Sequence, residues 1–164
     1  MALQGRVIIY VAIASLLALL GGITWYASLD NPQLEMAQVQ LGTVKVVNVN
    51  PFESRATLEV GFKVRNPGDK SFTVSHIDYE LFANGVSLGR GQYSVQDIPM
   101  PGRAIFPTDA EIELPSLFSL VPTSESAQVY TAIVNNQPVT YSAKGMMSVE
   151  SAWSIVEKEF DVSQ

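Results

Sequence analysis

The residues able to do chemistry are few and poorly grouped. The single histidine, His76, stands between Ser75 and Asp78. That trio holds the residue types of a hydrolytic triad, but a triad is assembled from separate parts of a fold, with base and nucleophile converging from different elements. These three are neighbours on one strand, so His76 reads as a structural or solvent-facing side chain. One histidine is no metal set either. Asp109, Glu111 and Glu113 recur with period two, which puts three carboxylates on one face of an extended segment. Calcium could use such oxygens, but no glycine-rich acidic loop accompanies them and a solvated face explains them more simply. Gly89-x-Gly91 lacks the third glycine and following helix of a dinucleotide fingerprint. No catalytic residue, cofactor site or metal site is assigned, and the chain is expected not to be an enzyme.

Composition narrows the partners. The net charge is −6 and the pI is near 4.7, whereas a phosphate-binding surface needs clustered Lys and Arg, so nucleic acid is not an expected partner. The absence of cysteine removes thiol chemistry, zinc-cysteine sites and disulfides. No Asn-x-Ser/Thr sequon occurs.

The elements that would position any site are clearest from Leu58 to Arg103. Leu58, Val60, Phe62 and Val64 alternate with Glu59, Gly61, Lys63 and Arg65, the period of a strand with one buried face. Asn66-Pro67-Gly68-Asp69 stops that strand, because proline cannot donate to a ladder and its neighbours favour turns. A second strand runs from near Phe72 to about Ala83. Asn84-Gly85 tolerates the positive φ angles of a type I′ turn and predicts a tight hairpin onto Val86-Ser87-Leu88. Simple register would set Ala83 opposite Val86, Leu81 opposite Leu88 and Tyr79 opposite Arg90. An arginine would then fall on the apolar face. A bulge at Gly89 or Gly91 would rotate Arg90 to water and turn Tyr93 or Val95 inward. Ile98-Pro99-Met100-Pro101-Gly102 ends the third strand.

These motifs, in this order and spacing, resemble the type 2 late embryogenesis abundant proteins and their water-stress-and-hypersensitive-response (WHy) domain. The residues carrying the resemblance are Asn66, Pro67, Tyr79, Asn84, Gly85, Gly89, Gly91 and Pro99. It extends more weakly from about Val39 to the C-terminus. The resemblance implies an immunoglobulin/fibronectin-like antiparallel β-sandwich, no known catalytic residues, and an association with desiccation and stress protection.

From Val7 to Leu29 there is no charged residue. At about 1.5 Å per residue that is roughly 34 Å of helix, enough for a hydrocarbon core of about 30 Å. A cleaved signal peptide is the rival, but its apolar region is shorter and Trp25-Tyr26-Ala27 is a poor cleavage site. We therefore expect residues 1–6 as a short cytoplasmic segment, 7–29 as a transmembrane helix, 30–36 as a stalk and 37–164 as the sandwich. Arg6 before the span and Asp30 and Glu35 after it place the N-terminus in the cytoplasm and the domain outside the cell membrane. Trp25 and Tyr26 would anchor the outer interface. Ala14, Ala18 and Gly22 form a stripe of small residues that could let a second helix approach, so a membrane-protein partner or a homo-oligomer through the helix is considered beside the lipid bilayer.

Elsewhere, strands are expected over Val39–Val49, Ala104–Leu114, Val139–Val149 and Trp153–Val162. Pro115 should close the Ala104–Leu114 strand, with one helical turn over Ser116–Leu120. A short helix after Pro122 carries Ala127, Tyr130, Ile133 and Val134 and is capped by Thr123 or Ser124. The total is about seven strands and one short helix. Two functions fit: a non-enzymatic, stress-protective surface domain, or an accessory structural subunit of a larger membrane complex.

Overall fold

The computed structural model describes residues 2–94 and 104–164, with side chains from Arg6 onward. A long apolar helix, α1 (Ala2–Ser28), is followed by a short helix, α2 (Asn31–Glu35), and then by strands β1 (Gln38–Asn50), β2 (Arg55–Arg65), β3 (Phe72–Ala83) and β4 (Val86–Ser94). Next come β5 (Ile105–Phe106), β6 (Glu111–Leu120), helix α3 (Ala127–Val134), β7 (Tyr141–Glu150) and β8 (Ile155–Ser163). All pairings are antiparallel. One sheet has the order β1-β2-β6, and the other β4-β3-β7-β8 with β5 on the start of β3. The fold is thus a mostly β sandwich preceded by one long apolar helix.

The core lies between the sheets. Leu58, Val60, Phe62 and Val64 of β2 are all fully buried, as the alternation predicts, and meet Ile77, Tyr79 and Leu81 of β3. Phe62 packs edge-on against Tyr79, with centroids 4.8 Å apart, and against Phe160 at 5.8 Å. Irregular alternation elsewhere has a local cause. Bulges after Leu41 and Val46 switch the face of β1, and a bulge between Val74 and His76 does the same in β3.

The hairpin at Asn84-Gly85 has the expected positive φ angles, 51° and 80°. Its register differs from simple pairing: Ala83 faces Val86, but Leu81 faces Gly89, Glu80 faces Arg90 and Tyr79 faces Gly91. Leu88 is the extra residue, and Gly89 takes φ 118°. The bulge restores the phase, since Leu88 and Tyr93 are buried while Arg90 is exposed. Val95, the Ile98–Gly102 break and Pro99 lie outside the described residues.

Three expectations for the later chain are corrected. Residues 104–114 are not one strand: Ile105 and Phe106 pair with β3 in one sheet, and after the turn at Pro107–Ala110 the chain joins β2 in the other. Pro115 does not end β6, which runs to Leu120 with Pro115 opposite Gly61, so Ser116–Leu120 is strand and not a helical turn. The physical reason is that β6 is a sheet edge, where alternate N–H groups go unpaired and proline is tolerated. The first residue before α3 is Ser126, not Thr123 or Ser124. Its hydroxyl is taken by Thr123, whose backbone N–H donates to it at 2.9 Å. Among the described residues the strands number eight, including the two-residue β5, and β8 begins at Ile155, leaving Trp153 in the preceding turn.

Candidate functional site: the helix junction and the groove between the sheets

Strand directions put residues 30–37, the turn at 66–71, the Pro107–Ala110 turn and the turn at 151–154 at one end of the sandwich, where α1 arrives. The expected stalk is not a free linker. Asp30 is buried, accepts a hydrogen bond from Lys70 Nζ, and accepts another at its Oδ2 from Ser151 Oγ at 3.2 Å. The Ser154 hydroxyl donates to Asn31 Oδ1, and Asp69 N–H donates to Gln33 Oε1 at 3.1 Å. Leu34 and Ala37 belong to the core. Lys158 Nζ donates to the carbonyls of Glu35 at 2.7 Å and Ala37 at 2.5 Å, stitching β8 to the segment. Pro32 occupies the first turn of α2, where its missing N–H has no cost, so the residues that end α1 also start a docked helix.

The bond from Lys70 holds the Asp30 carboxyl below the usual carboxylate range, helped by Ser151 and by the lysine charge and opposed by desolvation. The same bond raises Lys70.

Asn66 organises the adjacent turn. Fully buried, it donates from Nδ2 to the carbonyls of Lys70 and Phe106, both at 2.9 Å, and accepts from Gly68 N–H at 3.0 Å. Its side-chain bonding is complete, which makes it a structural residue. Pro67 sits half-buried beside it. Asn84 plays a similar part at the far end, accepting from Thr140 N–H at 2.9 Å.

A second feature runs along the seam between β4 and β6, the facing edges of the two sheets. It is an open groove of about 800 Å³ bordered by Arg90–Ser94 and Pro115–Ser119, with Asp78 at its margin. Beneath it the buried Tyr79 hydroxyl reaches Ser116 Oγ at 2.9 Å, and Ser116 Oγ donates to Gln92 O at 2.8 Å. Ser116 has spent its proton on a carbonyl, so Tyr79 is the donor between the two hydroxyls. Among the described residues no base is hydrogen-bonded to the serine, and burial raises the Tyr79 phenol. The chain Tyr79-Ser116-Gln92 therefore clasps the sheets and is not an activated nucleophile.

The other sequence candidates are placed apart. His76 Nε2 lies 3.0 Å from Asp78 Oδ1 on the surface of β3, and both are at least partly exposed. The acidic trio does not share a strand face. Asp109 sits in the turn with φ 59°, 4.0 Å from Arg65, and Glu113 reaches across β2 to accept the Thr43 N–H at 3.0 Å. Gly61 lies under that carboxylate, so Glu113 completes the first β1 bulge. Among the described residues no three His, Cys, Asp or Glu side chains converge on a metal-sized site. Ala14, Ala18 and Gly22 lie along α1, whose apolar stretch has no share in the core. The docking of Asp30 and Leu34 was not read from the sequence. The only signal was an acid and a leucine on either side of Asn31-Pro32.

No protein-family model matches the chain, and no curated protein matches it significantly. Among solved structures, a protein from Archaeoglobus fulgidus is similar with TM-score 0.42 and 17% identity, over 79% of this chain and 93% of that one. A protein from Arabidopsis thaliana is similar with TM-score 0.46 and 16% identity, over 77% and 80% of the two chains. A protein assigned provisionally to the late embryogenesis abundant group is similar with TM-score 0.41 and 13% identity, over 93% and 85%. Likeness at this level carries nothing about activity.

Proposed function

We propose that the chain is a single-pass, membrane-anchored, non-enzymatic β-sandwich that acts through its surface on the outer side of the membrane, in the stress- and desiccation-protective manner that its sequence motifs suggest. The observation carrying this reading is the junction: a helix long and apolar enough to cross a membrane has no share in the core, yet the residues directly after it are built into the sandwich. Such a domain is held at the bilayer rather than on a flexible tether. The test is retention of the full chain in membranes after alkaline extraction, with protease added from either side to read orientation. Release into the soluble fraction, or a domain shielded with the cytoplasm, defeats it.

The second reading is an accessory subunit of a larger membrane complex. The groove between β4 and β6 favours it, because it runs along two sheet edges, and a sheet edge is a surface that an extended segment of another protein can pair with. Crosslinking in intact membranes followed by purification in mild detergent separates the two. A stoichiometric partner supports the subunit, and its absence supports the independent domain. Replacing Ala18 and Gly22 by isoleucine tests whether any such association runs through the helix.

A further inference from the structure

We propose that the anchor-proximal end of the sandwich itself seats in the lipid interface, with Trp153 as the side chain that inserts; this rests on the reading of α1 as a membrane anchor. Trp153 is 66% exposed, in the turn between β7 and β8. That turn is rigid. Ser151 N–H donates to Ser154 O at 2.8 Å, and the N–H groups of Trp153 and Ser154 donate to Ser151 Oγ at 3.3 and 3.1 Å.

The depth of the turn follows from its bonds. Ser151 and Ser154 are hydrogen-bonded to Asp30 and Asn31, the first residues after the apolar run ends at Leu29. A turn tied to the point where a helix leaves the hydrocarbon lies among the headgroups. Tryptophan is favoured in that layer, because its ring is apolar and its N–H still finds partners there. Further apolar side chains are exposed at the same end, namely Leu29 at 48%, Met36 at 47%, Ile105 at 63% and Ile155 at 66%. Phe52 is more exposed still, at 99%. It stands beyond the far end of β1, however, a strand of 13 residues that spans roughly 43 Å at about 3.3 Å per residue, and the same bilayer surface is out of its reach. The nearby Lys70 is occupied by Asp30, and the chain carries a charge of −6. The contact is therefore apolar and does not depend on anionic lipid.

The chain has two tryptophans, so each can be made the sole emitter in the full-length protein. With Trp25→Phe in phosphatidylcholine vesicles, Trp153 emission should be blue-shifted, quenched by lipids brominated near the headgroup, and protected from aqueous iodide. Emission that stays water-like and open to iodide overturns the proposal, including the case in which a protein partner, absent from these vesicles, covers Trp153 instead. Trp153→Phe provides the control. Bromolipid quenching of Trp25 but not of Trp153 sinks this inference alone, whereas quenching of neither sinks the anchor reading and this inference with it.

Discussion

Tyr79 lies directly opposite Gly91 in the β3–β4 ladder, and the absence of a side chain there lets the phenol cross β4 to Ser116 on the other sheet. A Cβ built on Gly91 would stand 2.5 Å from Tyr79 Cζ and 2.8 Å from Phe118 Cδ2. Gly91→Ala must therefore displace a buried ring, at about 1–3 kcal/mol. Adding Tyr79→Leu should relieve part of that loss, giving clear non-additivity in a chemical-denaturation cycle. Simple addition of the two effects would show that Gly91 has another role.

The hydroxyl clasp is worth less than the ring. Tyr79→Phe removes one hydrogen bond but leaves Ser116 bonded to Gln92, so the expected loss is about 0.5–1.5 kcal/mol in urea unfolding. A loss as large as that of Gly91→Ala would mean that the clasp, and not the packing, holds this seam.

Gly89 answers to a different cause. Its φ of 118° is strained for any L side chain, while the nearest atom to an added Cβ is 3.9 Å away. Gly89→Ala should cost about 1–3 kcal/mol from backbone strain. No second-site cavity should rescue it, and recovery with a shortened Phe118 would refute the assignment.

The domain should fold without α1, but the cut matters. A fragment starting at Asp30 keeps Leu34 and Ala37 in the core and should melt cooperatively. One starting at Gln38 loses both, and Leu34 alone is worth about 2–5 kcal/mol by analogy with core truncation. Equal melting temperatures for the two fragments would mean that α2 is not a structural part of the sandwich.

The junction also predicts a pH dependence. The folded pKa of Asp30 is depressed, chiefly by its bond to Lys70. Its contribution is thus present above the unfolded value of about 3.9 and is lost as pH falls through the lower folded value. Lys70, raised by the same bond, contributes below its unfolded value of about 10.4 and loses that contribution as pH rises through the folded one. Melting temperature against pH for Asp30→Asn should be flatter than wild type at both extremes. An unchanged acid limb would show that the pair does not couple to folding.

Much of this architecture was legible before any coordinates. The apolar run at Val7–Leu29, the alternation from Leu58 to Val64, the Asn84-Gly85 turn and the need for a bulge near Gly89 are local. Periodicity, backbone freedom and the placement of charge act within a few residues and leave their mark in the sequence. What pairing alone settled is of another kind. Pro115 is acceptable because β6 is an edge, Asp30 is buried because Lys70 and Ser151 arrive on turns far along the chain, and Glu113 serves Thr43 because Gly61 of the intervening strand gives it room. Residues 30–36 resemble a stalk for the same reason, since hydrogen bonds and burial across separations of about 40 and 120 residues leave no periodic trace near either partner.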